Sequence, residues 1–147
     1  MGKTVTCELA YIHPSKTTNP HDYSRTPGGS SSGSAAVVAS HMAHLSIGSQ
    51  TGGSVIRPAS YCGVVGYKPS YGLISRSGVL KTSEKLDTIG VFGKTVKDVA
   101  LLAKSLIKKD LYDTSTIHFA ADDMLKVCEE GPPFEPKFIF YKTDKWK

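Results

Sequence analysis

The clearest helical pattern in the chain is TVKDVALLAKSLIKK, which opens at Thr95. Val96, Val99, Ala100, Ala103, Leu106 and Ile107 recur at three- and four-residue steps and make one apolar face. Asp98 follows Thr95 by three residues, a weaker relative of the capping box, so the helix is expected to start there. Residues 34–45, SAAVVASHMAHL, hold no Gly or Pro and are rich in alanine, which predicts a second helix with Ser30, Ser31 or Ser32 as its cap. LSIGSQTGGS then alternates toward a short strand that stops at Gly52-Gly53. RPASYCG reads as a turn and VVGYKPSYGLIS as a strand and loop. KTVTCELAY near the start is β-prone, and IHPSKTTNPHDYSRTP, with its three prolines, is irregular. Late in the chain the polar EEGPPFEP precedes KFIFY, which reads as a strand. Strands and helices in alternation predict an α/β layered fold, and no internal repeat is visible.

Composition narrows the class. A chain of 147 residues fits one domain and can bury a core, and 39% hydrophobic with 21% charged residues is ordinary for a globular protein. No apolar run approaches the roughly 18 residues of a membrane span. The start MGKTVTCELAY lacks the basic-then-apolar layout of a secretory signal, so no membrane association and a cytoplasmic location are expected. The net charge of +5 invites a nucleic-acid reading, but Lys81, Lys85, Lys94, Lys97, Lys104, Lys108, Lys109 and Lys142 are scattered and not interleaved with aromatics. They predict a solvated face and no direct nucleic-acid contact. Cys7, Cys62 and Cys128 are far apart with no CxxC, which argues against a disulfide framework or zinc and for small buried hydrophobes in a reducing compartment.

The segment TPGGSSSGSAAVVAS, residues 26–40, resembles a flexible linker in composition. A linker must join two self-sufficient blocks, and about thirty residues cannot make a core. Small residues before a helix also suit a phosphate, but GxxxxGK[ST] and a strand-borne GxGxxG are both lacking. Gly29 to Gly33 formally matches GxSxG with Ser31 as nucleophile, but the motif needs a buried strand before it, and DYSRTP stands there instead. A two-loop arrangement fits better. Ser30 and Ser54 lie 24 residues apart and each follows a Gly-Gly pair. A helix over residues 33–44 rises about 18 Å. A strand over 45–50 returns about 20 Å, so both loops reach the same end. A tight turn at Thr51-Gly52-Gly53-Ser54 would then aim backbone N–H groups at one point, the requirement of an oxyanion hole beside a serine nucleophile. Bulky residues at Gly52 or Gly53 are expected to block both the turn and substrate approach.

GGSSSGSAAVVAS followed by IGSQTGGSVIRPASYCGVVGYKPSYG resembles the amidase signature family of serine amide hydrolases, over roughly residues 1–110 and more weakly beyond. The resemblance implies an α/β/α layered fold with a mixed central sheet. It implies a Ser-cisSer-Lys triad in which Ser54 is the nucleophile, Ser30 the proton-relaying cis serine, and Thr51, Gly52 and Gly53 with Ser54 the oxyanion turn. It implies a small-molecule carboxamide substrate, no cofactor and no metal, and it is compatible with an oligomer. The same loops occur in the glutaminase (A-type) subunit of tRNA-dependent amidotransferases, so that activity stays open beside simple amide hydrolysis and a non-catalytic binding remnant. Gln50 stands where the family usually has an acid, and Arg57 comes one residue later than usual.

A serine hydroxyl needs a base. The family base is a lysine well upstream of the first loop, and only Lys3 and Lys16 precede Ser30. GKTVTCELAY resembles a stretch already downstream of that lysine, and PKFIFYKTDKW resembles a mid-domain strand. The expectation is therefore a partial amidase domain, incomplete at both ends: strand and loop over 1–27, signature loops over 28–70, helix and strand continuation over 71–147. Two further arrangements are weighed. His41 and His44, three apart on a helix, suggest metal but lack a third ligand. His118 and Asp87 are compatible in spacing with a Ser-His-Asp set.

Overall fold

In the computed structural model of the chain, residues 16–121 and 123–144 are described, so the β-prone stretch at 3–11 lies outside them. The elements run α1 (Ser32–Ala39), β1 (Leu45–Gln50), α2 (Ile56–Cys62), β2 (Val65–Tyr67), β3 (Thr88–Gly93), α3 (Val96–Leu106) and α4 (Met124–Glu130). The strands form a sheet in the order β1-β3-β2, and both pairings are antiparallel.

All six residues of β3, TIGVFG, are buried. A strand covered on both faces reads as a short apolar run without alternation, which is why periodicity leaves it unassigned. Its side chains divide between two cores. Ile89 and Val91 pack with Leu73, Ile74 and the α3 residues Val99 and Ala103, while Phe92 packs with Ala35 and Val38 of α1, Ala59 and Cys62 of α2, and Val55. The sheet therefore lies between α1 and α2 on one face and α3 on the other, an α/β/α layering. Burial raises the Cys62 thiol pKa, consistent with a packing role.

Helix α3 starts as expected. The Thr95 side chain accepts from the Asp98 N–H and the Asp98 carboxylate accepts from the Thr95 N–H, a complete reciprocal cap. Three other expectations are corrected. The helix predicted to reach residue 45 ends at Ala39, because the Ser40 hydroxyl donates back to the Ala36 carbonyl, His41 turns to φ 60° and Lys94 Nζ donates to the Ala39 carbonyl at 3.0 Å. The predicted turn RPASYCG is α2. Pro58 falls in its first turn, where a missing N–H costs little, and Gly63 at φ 63° takes the left-handed position that closes it. Residues 137–141 are not a strand among the described residues, since no neighbouring strand supplies ladder partners.

Arg76 ties the long connection between β2 and β3 to the segment after α3. Its side chain is 2% exposed. Its guanidinium donates to the Glu84 carbonyl (2.8 Å), the Tyr71 hydroxyl (2.9 Å), Ser115 Oγ (3.0 Å), Glu84 Oε1 (3.3 Å) and Asp113 Oδ2 (3.4 Å). Burial pushes the Asp113 carboxyl up, but the Ser115 hydroxyl and the backbone N–H groups of Arg76 and Ser115, together with the guanidinium, outweigh it and hold it far below the usual carboxylate range.

Removing one partner of a buried ion pair is costly, so Arg76→Met is expected to lower stability by about 3–5 kcal/mol in urea unfolding at pH 7. A carboxyl with a depressed folded pKa contributes stability that is complete above its ordinary value, about 3.9, and is lost as pH falls through the folded value. The deficit of Arg76→Met should therefore shrink below about pH 4; an unchanged urea midpoint at pH 7 would contradict this account.

Candidate active site

The serines of residues 30–34 divide their work. Ser31 occupies the N-cap of α1 without capping it through its side chain. Its Oγ instead donates to the Ser49 carbonyl (3.1 Å) and accepts from the Ser49 N–H (3.2 Å). One turn later Ser34 Oγ donates to the Ile47 carbonyl at 2.8 Å, and Ser46 Oγ donates back to the Ser34 carbonyl at 2.6 Å. Ile47 and Ser49 are alternate residues of β1, which is an edge of the sheet beside β3. The hydroxyls of α1 thus serve the outer edge of β1 in place of a further strand. Gly48 lies between those two residues, and a Cβ there would come within 2.5 Å of Ser31 Oγ and 2.9 Å of the Phe92 ring.

This seam brings the two Gly/Ser loops together at one end. The Ser31 N–H donates to the Ser54 carbonyl at 3.2 Å. Arg57, on α2, donates from Nε (3.1 Å) and a terminal nitrogen (2.7 Å) to the Gly29 carbonyl, and the Gly29–Ser30 peptide is cis. Gln50 ends β1 with its side chain buried, and its Oε1 accepts from the Val55 (2.8 Å) and Ile56 (3.0 Å) N–H groups, satisfying the start of α2. The turn between, Thr51 to Ser54, is left with its own donors. Among the described residues, the N–H groups of Gly52, Gly53 and Ser54 donate to no backbone acceptor. Ser54 is 6% exposed, while Thr51 and Gly52 are exposed and Ser30 and Gly53 half-buried.

Asp87 anchors this turn from the far side. Its Oδ1 accepts from the Thr51 hydroxyl, and its Oδ2 accepts from the N–H groups of Thr82 (2.6 Å) and Ser83 (2.9 Å). Burial works against its charge, but those three donors, with Arg76 further off, prevail and hold the carboxyl below its ordinary range. Its contribution is thus present above the ordinary carboxylate pKa and fades as pH drops through the folded value. With both oxygens occupied this way, Asp87 serves the turn; His118 is exposed on the segment after α3, so the His118–Asp87 arrangement is not formed. His41 is exposed at the end of α1, and no group of three His, Cys, Asp or Glu able to hold a metal occurs among the described residues.

Gly52 also departs from expectation. A Cβ there meets nothing within 4 Å, and at Gly53 the nearest atom is Arg57 Cβ at 4.0 Å. The fold itself does not require these glycines to be small; their outer side is open.

The α/β/α layering with paired Gly/Ser loops at one sheet end is shared with solved structures of amidase type. The chain belongs to the Amidase family, whose profile matches residues 1–134. It is 52% identical over 116 residues to the A-type subunit of a Clostridium acetobutylicum glutamyl-tRNA(Gln) amidotransferase, a match covering 78% of this chain and 24% of that protein. The crystal structure of the A-type subunit of the Thermotoga maritima glutamyl-tRNA(Gln) amidotransferase superposes with a TM-score of 0.68 at 51% identity, covering 69% of this chain and 23% of that one. Native peptide amidase from Stenotrophomonas maltophilia superposes with a TM-score of 0.70 at 36% identity, over 75% and 23% of the two chains. The chain spans about a quarter of the length of the curated relatives it matches.

The glycine contacts separate structural from chemical need. Gly48→Ala should cost about 1–3 kcal/mol, as overpacking does. Gly52→Ala should leave stability within about 0.5 kcal/mol of the parent. Paired urea titrations decide it, and equal effects at the two positions would show that Ser31 and β1 are not in tight contact.

Proposed function

We propose that the chain carries the serine half of an amide-hydrolysing centre. Ser54 is the nucleophile, attacking the carboxamide carbon to give an acyl-enzyme. Gly52, Gly53 and Ser54 offer N–H groups to the carbonyl oxygen as it gains charge, and Thr51 holds the turn through Asp87. Ser30 relays the proton from Ser54 toward the leaving amine, and water then releases the acid. The observation that carries this reading is the set of consecutive N–H groups at residues 52–54 with no backbone acceptor among the described residues, beside Ser54, which is 6% exposed. Donors with no protein acceptor are available to a bound carbonyl oxygen as it gains charge.

A serine nucleophile needs a base, and four lysines among the described residues are engaged elsewhere. Lys68 donates to the Pro69 carbonyl, Lys94 to the Ala39 carbonyl, Lys97 to Glu129 and Lys109 to the Thr116 carbonyl. These lysines are committed to structural contacts. We therefore expect little or no turnover from these 147 residues by themselves. The identity of about half the matched residues with the A-type subunits of glutamyl-tRNA(Gln) amidotransferases favours glutamine as the amide, with ammonia passed onward, over a simple amide.

Incubation of the purified chain with glutamine and with a simple carboxamide should release ammonia at no more than the background rate. Amide turnover abolished by Ser54→Ala would contradict that expectation while supporting the nucleophile. A longer chain with a candidate lysine should turn over, and there Ser54→Ala should cost about 10⁴-fold or more in kcat; retained activity in that variant would remove Ser54 from the mechanism.

A further inference from the structure

Arg57 touches both Gly/Ser loops, and it does so at equivalent points. Its backbone N–H donates to the Gly53 carbonyl at 2.9 Å. Its guanidinium donates to the Gly29 carbonyl from two nitrogens, at 3.1 and 2.7 Å. Gly53 and Gly29 stand immediately before Ser54 and Ser30, so each carbonyl belongs to the planar peptide that carries one of the two serines. On the other side of Ser30, the Ser31 N–H donates to the Ser54 carbonyl at 3.2 Å. Ser30 is thereby tied, through the residues before and after it, to the segment that holds Ser54.

The two grips of Arg57 differ in kind. The backbone contact is part of the first turn of α2 and survives any side chain at position 57 except proline. The side-chain contact is specific to arginine. A planar fork whose Nε and terminal nitrogen converge on one oxygen fixes direction as well as distance, and a lysine ammonium on its flexible stem does not. Residues 27 and 28 are held against α2 independently. Cys62 Sγ donates to the Pro27 carbonyl at 3.4 Å, and a Cβ on Gly28 would lie 3.0 Å from Pro58 Cα. What the fork adds is the orientation of the next peptide, the one leading into Ser30.

We propose, on the reading that Ser54 is the nucleophile and Ser30 the relay, that Arg57 is a positioning residue for Ser30. Its fork holds the preceding peptide so that the Ser30 hydroxyl meets Ser54 and the departing group. In the acylation step the Ser54 oxygen bonds to the carboxamide carbon and the C–N bond breaks. The proton given up by Ser54 reaches the departing nitrogen by way of Ser30. An amine leaves only once it is protonated, whereas a nitrophenolate leaves without a proton. Misdirecting Ser30 therefore impairs two proton transfers in amide cleavage and one in cleavage of an activated ester.

The test compares a carboxamide with the nitrophenyl ester of the same acid, in a longer chain that turns over. Arg57→Gln should lower kcat for the amide about 10²-fold and leave KM within about twofold. Its loss in kcat/KM on the ester should be at least about tenfold smaller. Arg57→Lys keeps the charge without the fork and should stay at least about tenfold below the parent on the amide. The Ser30→Ala/Arg57→Gln double variant should be no slower on the amide than Ser30→Ala, because a residue that acts through Ser30 then has nothing left to position. In the 147-residue chain itself, the Ser31 amide should exchange at least about tenfold faster in Arg57→Gln. Equal losses on amide and ester, additive losses in the double variant, full activity in Arg57→Lys or unchanged exchange at Ser31 would each overturn the proposal. Undiminished amide turnover in Ser30→Ala would remove the relay itself, and the role of Arg57 with it.

Discussion

The seam between α1 and β1 is the contact on which the rest of the candidate site depends. An edge strand has outward backbone groups that need partners. Here the partners are hydroxyls, Ser31 on Ser49 and Ser34 on Ile47, spaced one helical turn apart to meet alternate residues of the strand. The match of helical and strand spacing fixes α1 in register along β1. Ser31 is also the residue whose N–H reaches the Ser54 carbonyl, so the register of the seam sets the relation of one loop to the other. Gly48 makes the close approach sterically possible.

Around this seam, two polar clamps hold the loops without using the turn's own donors. Arg57 draws the Gly29 carbonyl toward α2, and Asp87 draws the Thr51 hydroxyl toward the segment before β3. Gln50 closes the start of α2. Each takes a group at the margin of residues 51–54 and leaves the N–H groups of Gly52, Gly53 and Ser54 without a backbone acceptor among the described residues. A site that is to receive charge during reaction gains from donors fixed in advance, because no reorganisation is then required. Asp87, by keeping its charge through hydrogen bonding, keeps that clamp closed at neutral pH.

Much of this was legible in the residues. The spacing of two Gly-Gly-Ser triplets about a helix and a strand places both at one sheet end, and the conclusion holds although α1 is shorter than its alanine content suggests. The cap of α3 is written in Thr95 and Asp98. What pattern alone does not disclose is tertiary. The central strand β3 is buried on both faces and shows no alternation. α2 hides behind Pro58 and Gly63, residues that read as a turn until one sees that Pro58 lies in the first turn, where a missing N–H costs little, and Gly63 closes the helix in the left-handed conformation. The roles of Arg57 and Asp87 depend on partners 28 and 36 residues away, a distance at which local sequence carries no signal.

Residue-resolved amide hydrogen exchange at Ser49 tests the seam most directly, since its N–H donates to Ser31 Oγ and to no strand neighbour. In Ser31→Ala the Ser49 amide should lose protection by about tenfold or more, about 1.4 kcal/mol, while the Val91 amide in the centre of the sheet keeps its protection. Unchanged exchange at Ser49 would mean that α1 does not hold the edge of β1 and that the two loops are set in place by something else.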